Sequence, residues 1–163
     1  MIKIYVDGSF SWEANLHSKK KVGKIAYKFG KRKTTVKKIK IPEISGLEQY
    51  INIFELLAVL EAIRKTKSTK IQLFTDSQVI YSWVKTGKNL YRFSDIHGRI
   101  GEEIQGRLSK LKYSTINLVG REQNLAGKAL EKLINDGETF QTQKFHLEKL
   151  QKYSFQHSLF PSQ

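Results

Sequence analysis

Apolar and polar residues alternate from the start of the chain. Ile2, Ile4 and Val6 are separated by Lys3 and Tyr5, the period-two pattern of a strand with one buried face. The alternation returns at Ile25, Tyr27 and Phe29, interleaved with Lys24, Ala26 and Lys28, and a third strand is expected from Thr34 to Ile41, ending at Pro42. Gly30-Lys31-Arg32-Lys33 reads as the turn between the last two. With such short connections, the three strands should form an antiparallel meander.

After a loop from Gly46 to Ile51 the period changes. Ile53, Leu56, Leu57, Leu60 and Ile63 share one face of a helix running through Arg64. Ile71 to Thr75 is a short buried strand, Ser77 to Val84 opens a second helix, and Gly87 to Ser94 is loop. Ile96 to Leu111 is a third helix with Ile100, Ile104, Leu108 and Leu111 on one side. Tyr113 to Val119 returns to strand, and Asn124 is placed to cap a final helix that ends near Asn135. The order βββ-α-β-α-α-β-α predicts an α/β domain over residues 1–136, a mixed sheet covered by helices. Residues 137–163 form a C-terminal extension, with a helix expected around Thr142 to Tyr153 and an aromatic tail. Its apolar stripe, which includes Phe145, Leu150 and Phe160, is expected to pack back on the domain.

Charge narrows the function. Lys and Arg number 29 against 15 Asp and Glu, a formal net charge of +14 in 163 residues, which suits a polyanionic partner and nucleic acid first. Eleven of the basic residues lie between Ser18 and Lys40, where no acid occurs. The apolar fraction of 39% is that of a folded domain rather than a disordered tail. The absence of cysteine excludes a disulfide scaffold, cysteine-based zinc sites and thiol nucleophiles. No apolar run approaches the ~18 residues of a membrane span, and the first residues lack the apolar stretch of a signal peptide. The expectation is a cytoplasmic monomer that handles nucleic acid, with the extension as the candidate surface for self-association.

Three acids stand where a carboxylate needs a reason. Asp7 ends the first strand before Gly8-Ser9, Glu55 sits inside the apolar run Ile53 to Leu60, and Asp76 ends the strand Leu73-Phe74-Thr75. An unpaired buried carboxylate costs several kcal/mol, so each must be protonated, paired or bound to a cation. A helix cap at Asp76, a turn at Asp7-Gly8 and an ion pair for Glu55 would each suffice individually. Jointly, at the carboxyl edge of a sheet and within a basic chain, the acids point to Mg²⁺ or Mn²⁺. Paired hard cations held by carboxylates are a device for phosphodiester cleavage by in-line attack.

The chain resembles a type 1 ribonuclease H, of the ribonuclease H-like superfamily. The resemblance rests on Tyr5-Val6-Asp7-Gly8-Ser9, then Asn52-x-x-Glu55-Leu56-x-Ala58 leading into Glu61-Ala62, then Phe74-Thr75-Asp76-Ser77, and finally Val119-x-Arg121-Glu122-x-Asn124-x-x-Gly127-x-x-Leu130 with Ala126 before the glycine. It implies a five-stranded mixed sheet flanked by helices, two divalent ions, and cleavage of the RNA strand of RNA–DNA hybrids. It makes Asp7 the metal-bridging acid with Glu55 and Asp76 as co-ligands, and it places Gly8, Ser9 and Asn52 along the RNA strand.

The sequence departs from that pattern in three places, one of them the loop Gly120-Arg121-Glu122-Gln123, which lacks the histidine that some relatives carry there. The resemblance expects a fourth acid after Ala126, where this chain has Gly127, so the second metal would lose a ligand. On that reading Gly127→Asp raises activity, and Glu131 one turn on, or Glu122 before the helix, is the candidate substitute. A catalytically impaired module that only binds hybrid or structured nucleic acid is the competing reading. The basic protrusion that some relatives carry after the third helix is also missing. The charge lies instead on the second and third strands and their turn, making Lys31, Arg32 and Lys33 candidate contacts to backbone phosphates.

Overall fold

The computed structural model describes residues 1–47, 49–136, 142–146 and 149–150. The alternating segments become β1 (Ile2–Phe10), β2 (Lys20–Phe29) and β3 (Thr35–Pro42). The helical period becomes α1 (Ile51–Lys65), followed by β4 (Lys70–Thr75), α2 (Gln78–Thr86), α3 (Asp95–Leu108), β5 (Tyr113–Leu118) and α4 (Leu125–Asp136). Side-chain caps set two of these starts. Ser77 accepts from the Ile80 N–H and Ser94 from the His97 N–H, each satisfying one otherwise orphaned donor of a first turn.

The strands form one sheet in the order β5-β4-β1-β2-β3-β6. β1, β2 and β3 are the expected antiparallel meander, and β4 and β5 add in parallel on the other side of β1. The sheet has six strands, not the five expected. The sixth, β6 (Thr142–Lys144), lies in the segment expected to be an extension and pairs in parallel with Lys38–Lys40 of β3. A helix therefore does not begin at Thr142. The reason is the edge of β3, whose unpaired backbone groups take up a polar segment that has no helical period of its own. The ladder continues as the Phe145 N–H donates to the Lys40 carbonyl at 2.9 Å. Phe145 and Leu150 then pack on the main core, while Phe160 and the rest of the aromatic tail lie outside the described residues.

The core fills one side of the sheet. Ile4 and Val6 of β1, Ile25 of β2, Ile39 and Ile41 of β3, and Ile71 and Leu73 of β4 pack against the apolar residues of α1. Among the described residues the opposite side is covered only in part. There Ala126 and Leu130 of α4 pack on Tyr5, Ala26 and Val36. No helix among the described residues is long and apolar enough to cross a membrane.

Candidate active site

Strand register brings two of the acids together. β1 and β4 are parallel neighbours with Tyr5 opposite Phe74, and carrying that register two residues on puts Asp76 beside Asp7. The third acid depends on Gly8. A Cβ at Gly8 would lie 2.5 Å from the Glu55 backbone nitrogen and 2.6 Å from the Phe54 carbonyl carbon. Only a residue without a side chain lets α1 approach β1 this closely, and that approach places Glu55 next to Asp7. As a result, carboxylate oxygens of Asp7, Glu55 and Asp76 all lie within 4.8 Å of one another. They line a cleft shared with Arg121, Gly127 and Glu131, and Gly8 and Ser9 contribute to the same wall.

The cluster is electrostatically uncomfortable without a cation. Burial, and then the neighbouring Asp76, push the Asp7 carboxyl up to about 7, opposed by the Gly8 N–H and the Arg121 charge. Burial, and then Asp7, push Glu55 up to about 7 as well, opposed by a hydrogen bond from Ser77. Three convergent oxygen donors of like charge suit a hard divalent cation, which neutralises the repulsion and uses their lone pairs.

The start of α4 is fixed against β1 by Asn124. This side chain is fully buried, donates through Nδ2 to the Val6 carbonyl at 2.9 Å, and accepts from the Ala126 N–H at 3.3 Å. The staple brings Gly127 directly against the cluster, where a Cβ would lie 2.8 Å from Asp7 Oδ2. Any side chain at 127 would require the Asp7 carboxylate to move, so this is a position of close approach between helix and strand. Glu131 faces the same cleft but stays outside the three-acid cluster, with its Oε1 3.4 Å from Arg121 Nε. Glu122 is exposed in a single 3-10 turn, Arg121–Gln123, and does not line the cleft.

Asn52 has a partner the sequence did not reveal. Its Oδ1 lies 2.8 Å from His97 Nε2, and His97 Nδ1 lies 2.7 Å from the capping hydroxyl of Ser94. His97 is buried against Trp83 and Phe93, and burial lowers its pKa to about 4, so near neutrality it is an uncharged link between the starts of α1 and α3. Two histidine nitrogens separated by such partners leave no periodic trace in a single sequence.

The turn carrying Lys31, Arg32 and Lys33 lies at the other end of the sheet. Gly30 donates to the Lys3 carbonyl, which sets the turn beside the start of β1, four residues or ~13 Å from Asp7 along the strand.

The comparisons with known proteins agree with this geometry. The family model for RNase H matches residues 1–144. RNase H1 from the halophilic archaeon Halobacterium salinarum NRC-1 is similar in structure, with a TM-score of 0.58 at 18% identity over 83% of this chain and 98% of that one. The N-terminal RNase H domain of rv2228c from Mycobacterium tuberculosis gives 0.59 at 12% identity, over 84% and 98%. LC11-RNase H1, solved in complex with an RNA/DNA hybrid, gives 0.58 at 15% identity, over 84% and 99%. No curated protein matches the chain in sequence. With the family model spanning both strand-end acids, the half-buried helix acid and the α4 staple, this chain belongs to the ribonuclease H family.

Proposed function

We propose that this chain is an endonuclease that hydrolyses the RNA strand of RNA–DNA hybrids in the cleft formed by Asp7, Glu55 and Asp76. The observation that carries the proposal is the convergence of those three carboxylates, within 4.8 Å of one another, at the edge of a basic RNase H domain. The structure of a similar RNase H1 with an RNA/DNA hybrid supports the substrate class.

Asp7, Glu55 and Asp76 would hold the divalent ions, Mg²⁺ or Mn²⁺. Bound there, such ions supply Lewis-acid stabilisation of a phosphodiester and an activated water. Asp7 is central in the cluster because it is the acid that both Glu55 and Gly127 adjoin. Ser77 orients Glu55 through a hydrogen bond, and Arg121 adds positive charge at the cleft wall, where a phosphate of the RNA would pass. Gly8 and Ser9 offer backbone and a hydroxyl to the RNA strand, where a 2′-OH distinguishes RNA from DNA. Asn52, held by His97, is the further polar contact on that strand.

The test is cleavage of an end-labelled hybrid with Mg²⁺ or Mn²⁺ by the wild type and by Asp7→Asn. A chain that binds hybrid tightly yet cleaves it with neither metal would support the impaired binding module instead.

A further inference from the structure

The lysines between Ser18 and Lys40 do not share one role. Lys21 turns inward and donates to the Asn15 and Ser18 carbonyls, and Lys37 pairs with Glu61 of α1 at 2.9 Å. Strand alternation separates these from a second set. On β2, Lys20, Lys24 and Lys28 share the face of Ala26, and on β3, Lys38 and Lys40 share the face of Val36. Ala26 and Val36 meet α4, so this is the side of the sheet that carries Asp7, away from the main core.

Register turns the second set into a track. Ser9 is opposite Lys24, Lys24 is opposite Lys38, and Lys38 is opposite Thr142 of β6. One step along, Lys40 is opposite Lys144. With strands ~4.8 Å apart, the row starts at the cleft wall and runs ~14 Å outward from Ser9 over sheet that α4 leaves uncovered. Like charges placed directly opposite each other destabilise a sheet, and this face holds two such pairs, Lys24 with Lys38 and Lys40 with Lys144. No acid among the described residues pairs with any of the four. Guarding a sheet edge does not account for Lys24, Lys38 and Lys40. Lys24 is on an interior strand, and the outer edge of β3 is occupied by β6.

We infer that the face of β2, β3 and β6 that no helix among the described residues covers, through Lys24, Lys38, Lys40 and Lys144, is the surface that grips the sugar–phosphate backbone of the hybrid next to the cleavage site. The inference rests on the proposed hybrid substrate and adds the place where it is held. The repulsion across the sheet is relieved when phosphates lie over the lysines, so binding and fold stability should respond to these residues in opposite directions.

Lys38→Glu in the full chain tests this, because it converts a like-charge pair with Lys24 into an opposite-charge one. Binding of a fluorescent RNA–DNA hybrid is measured by anisotropy in EDTA across a salt series, beside thermal unfolding. Lys110→Glu, at an exposed lysine in the turn after α3, serves as the charge-matched control. The expected result is binding about tenfold weaker near ~0.1 M salt and a log–log salt slope shallower by about 1–2. Unfolding should move upward by roughly 1–3 °C. A loss of affinity no larger than that of Lys110→Glu, or an unchanged slope, overturns the inference. Because this binding is read without metal, it separates from the catalytic proposal. Wild-type binding that depends on Lys38 without any cleavage sinks only the catalytic reading. Cleavage with Lys38→Glu behaving like the control sinks only this one, and a wild type that binds no hybrid sinks both.

Discussion

Asp7→Asn should make the metal-free protein more stable while removing its chemistry. The Asp7 carboxyl is pushed from 3.8 to about 7 by burial first and by Asp76 next. The folded state therefore holds a proton that the unfolded chain releases, and wild-type stability falls as pH rises from about 4 to about 7. A displacement of about three units corresponds to roughly 4 kcal/mol at most, and solvent reaching the cleft reduces it to about 2 kcal/mol. Asparagine keeps the shape and discards the charge, and it also relieves Glu55, whose carboxyl Asp7 pushes up. In urea with EDTA, Asp7→Asn should gain about 2 kcal/mol near pH 8, equivalent to roughly 4–8 °C in Tm, and almost nothing near pH 4. Adding Mn²⁺ should raise the Tm of the wild type near pH 8 and leave that of Asp7→Asn nearly unchanged. A variant less stable than wild type near pH 8, or a gain independent of pH, would refute the picture of mutually repelling carboxylates.

Gly127→Asp should raise turnover severalfold and Gly127→Ala should not, because a Cβ at 127 needs only a small shift of the flexible Asp7 carboxylate 2.8 Å away and the aspartate then adds a fourth oxygen donor; a fall in Gly127→Asp turnover would show instead that the close approach tolerates no side chain. Gly8→Ala should cost roughly 1–3 kcal/mol in urea unfolding and most of the activity, since α1 must withdraw from β1 and take Glu55 with it; wild-type stability would contradict the close approach. His97→Ala leaves Asn52 without its buried partner, so KM for the hybrid should rise severalfold with kcat changed by no more than about twofold; a fall in kcat alone would place His97 nearer the chemistry than the geometry does. Steady-state kinetics on a labelled hybrid reads all three.

What the sequence discloses follows from periodicity. The meander, the buried face of α1 and the capped start of α2 are local patterns, and each forms where alternation, helical spacing or Ser77 places it. The candidate acids were legible for the same reason, since a carboxylate inside Ile53 to Leu60 or at a strand end has no local partner. β6 was not legible, because Thr142-Gln143-Lys144 has no strand signal of its own and pairs only because the edge of β3 is free. Gly127 reads in sequence as a missing ligand, yet its distance from Asp7 is set by the Asn124–Val6 hydrogen bond across 118 positions. Glu131 is at the right helical spacing to face the cleft, but its bond to Arg121 is invisible to spacing. The Lys24–Lys38 pairing needed register, which alternation alone does not fix.

The measurement that bears most directly on the central claim is a time course of cleavage of an RNA–DNA hybrid labelled separately on each strand, with Mg²⁺ or Mn²⁺. The account predicts products from the RNA strand only, none in EDTA, and none from Asp7→Asn although that variant is folded and still binds the hybrid. Cleavage that persists in Asp7→Asn, or a folded wild type that binds hybrid and cuts it with neither metal, would contradict it.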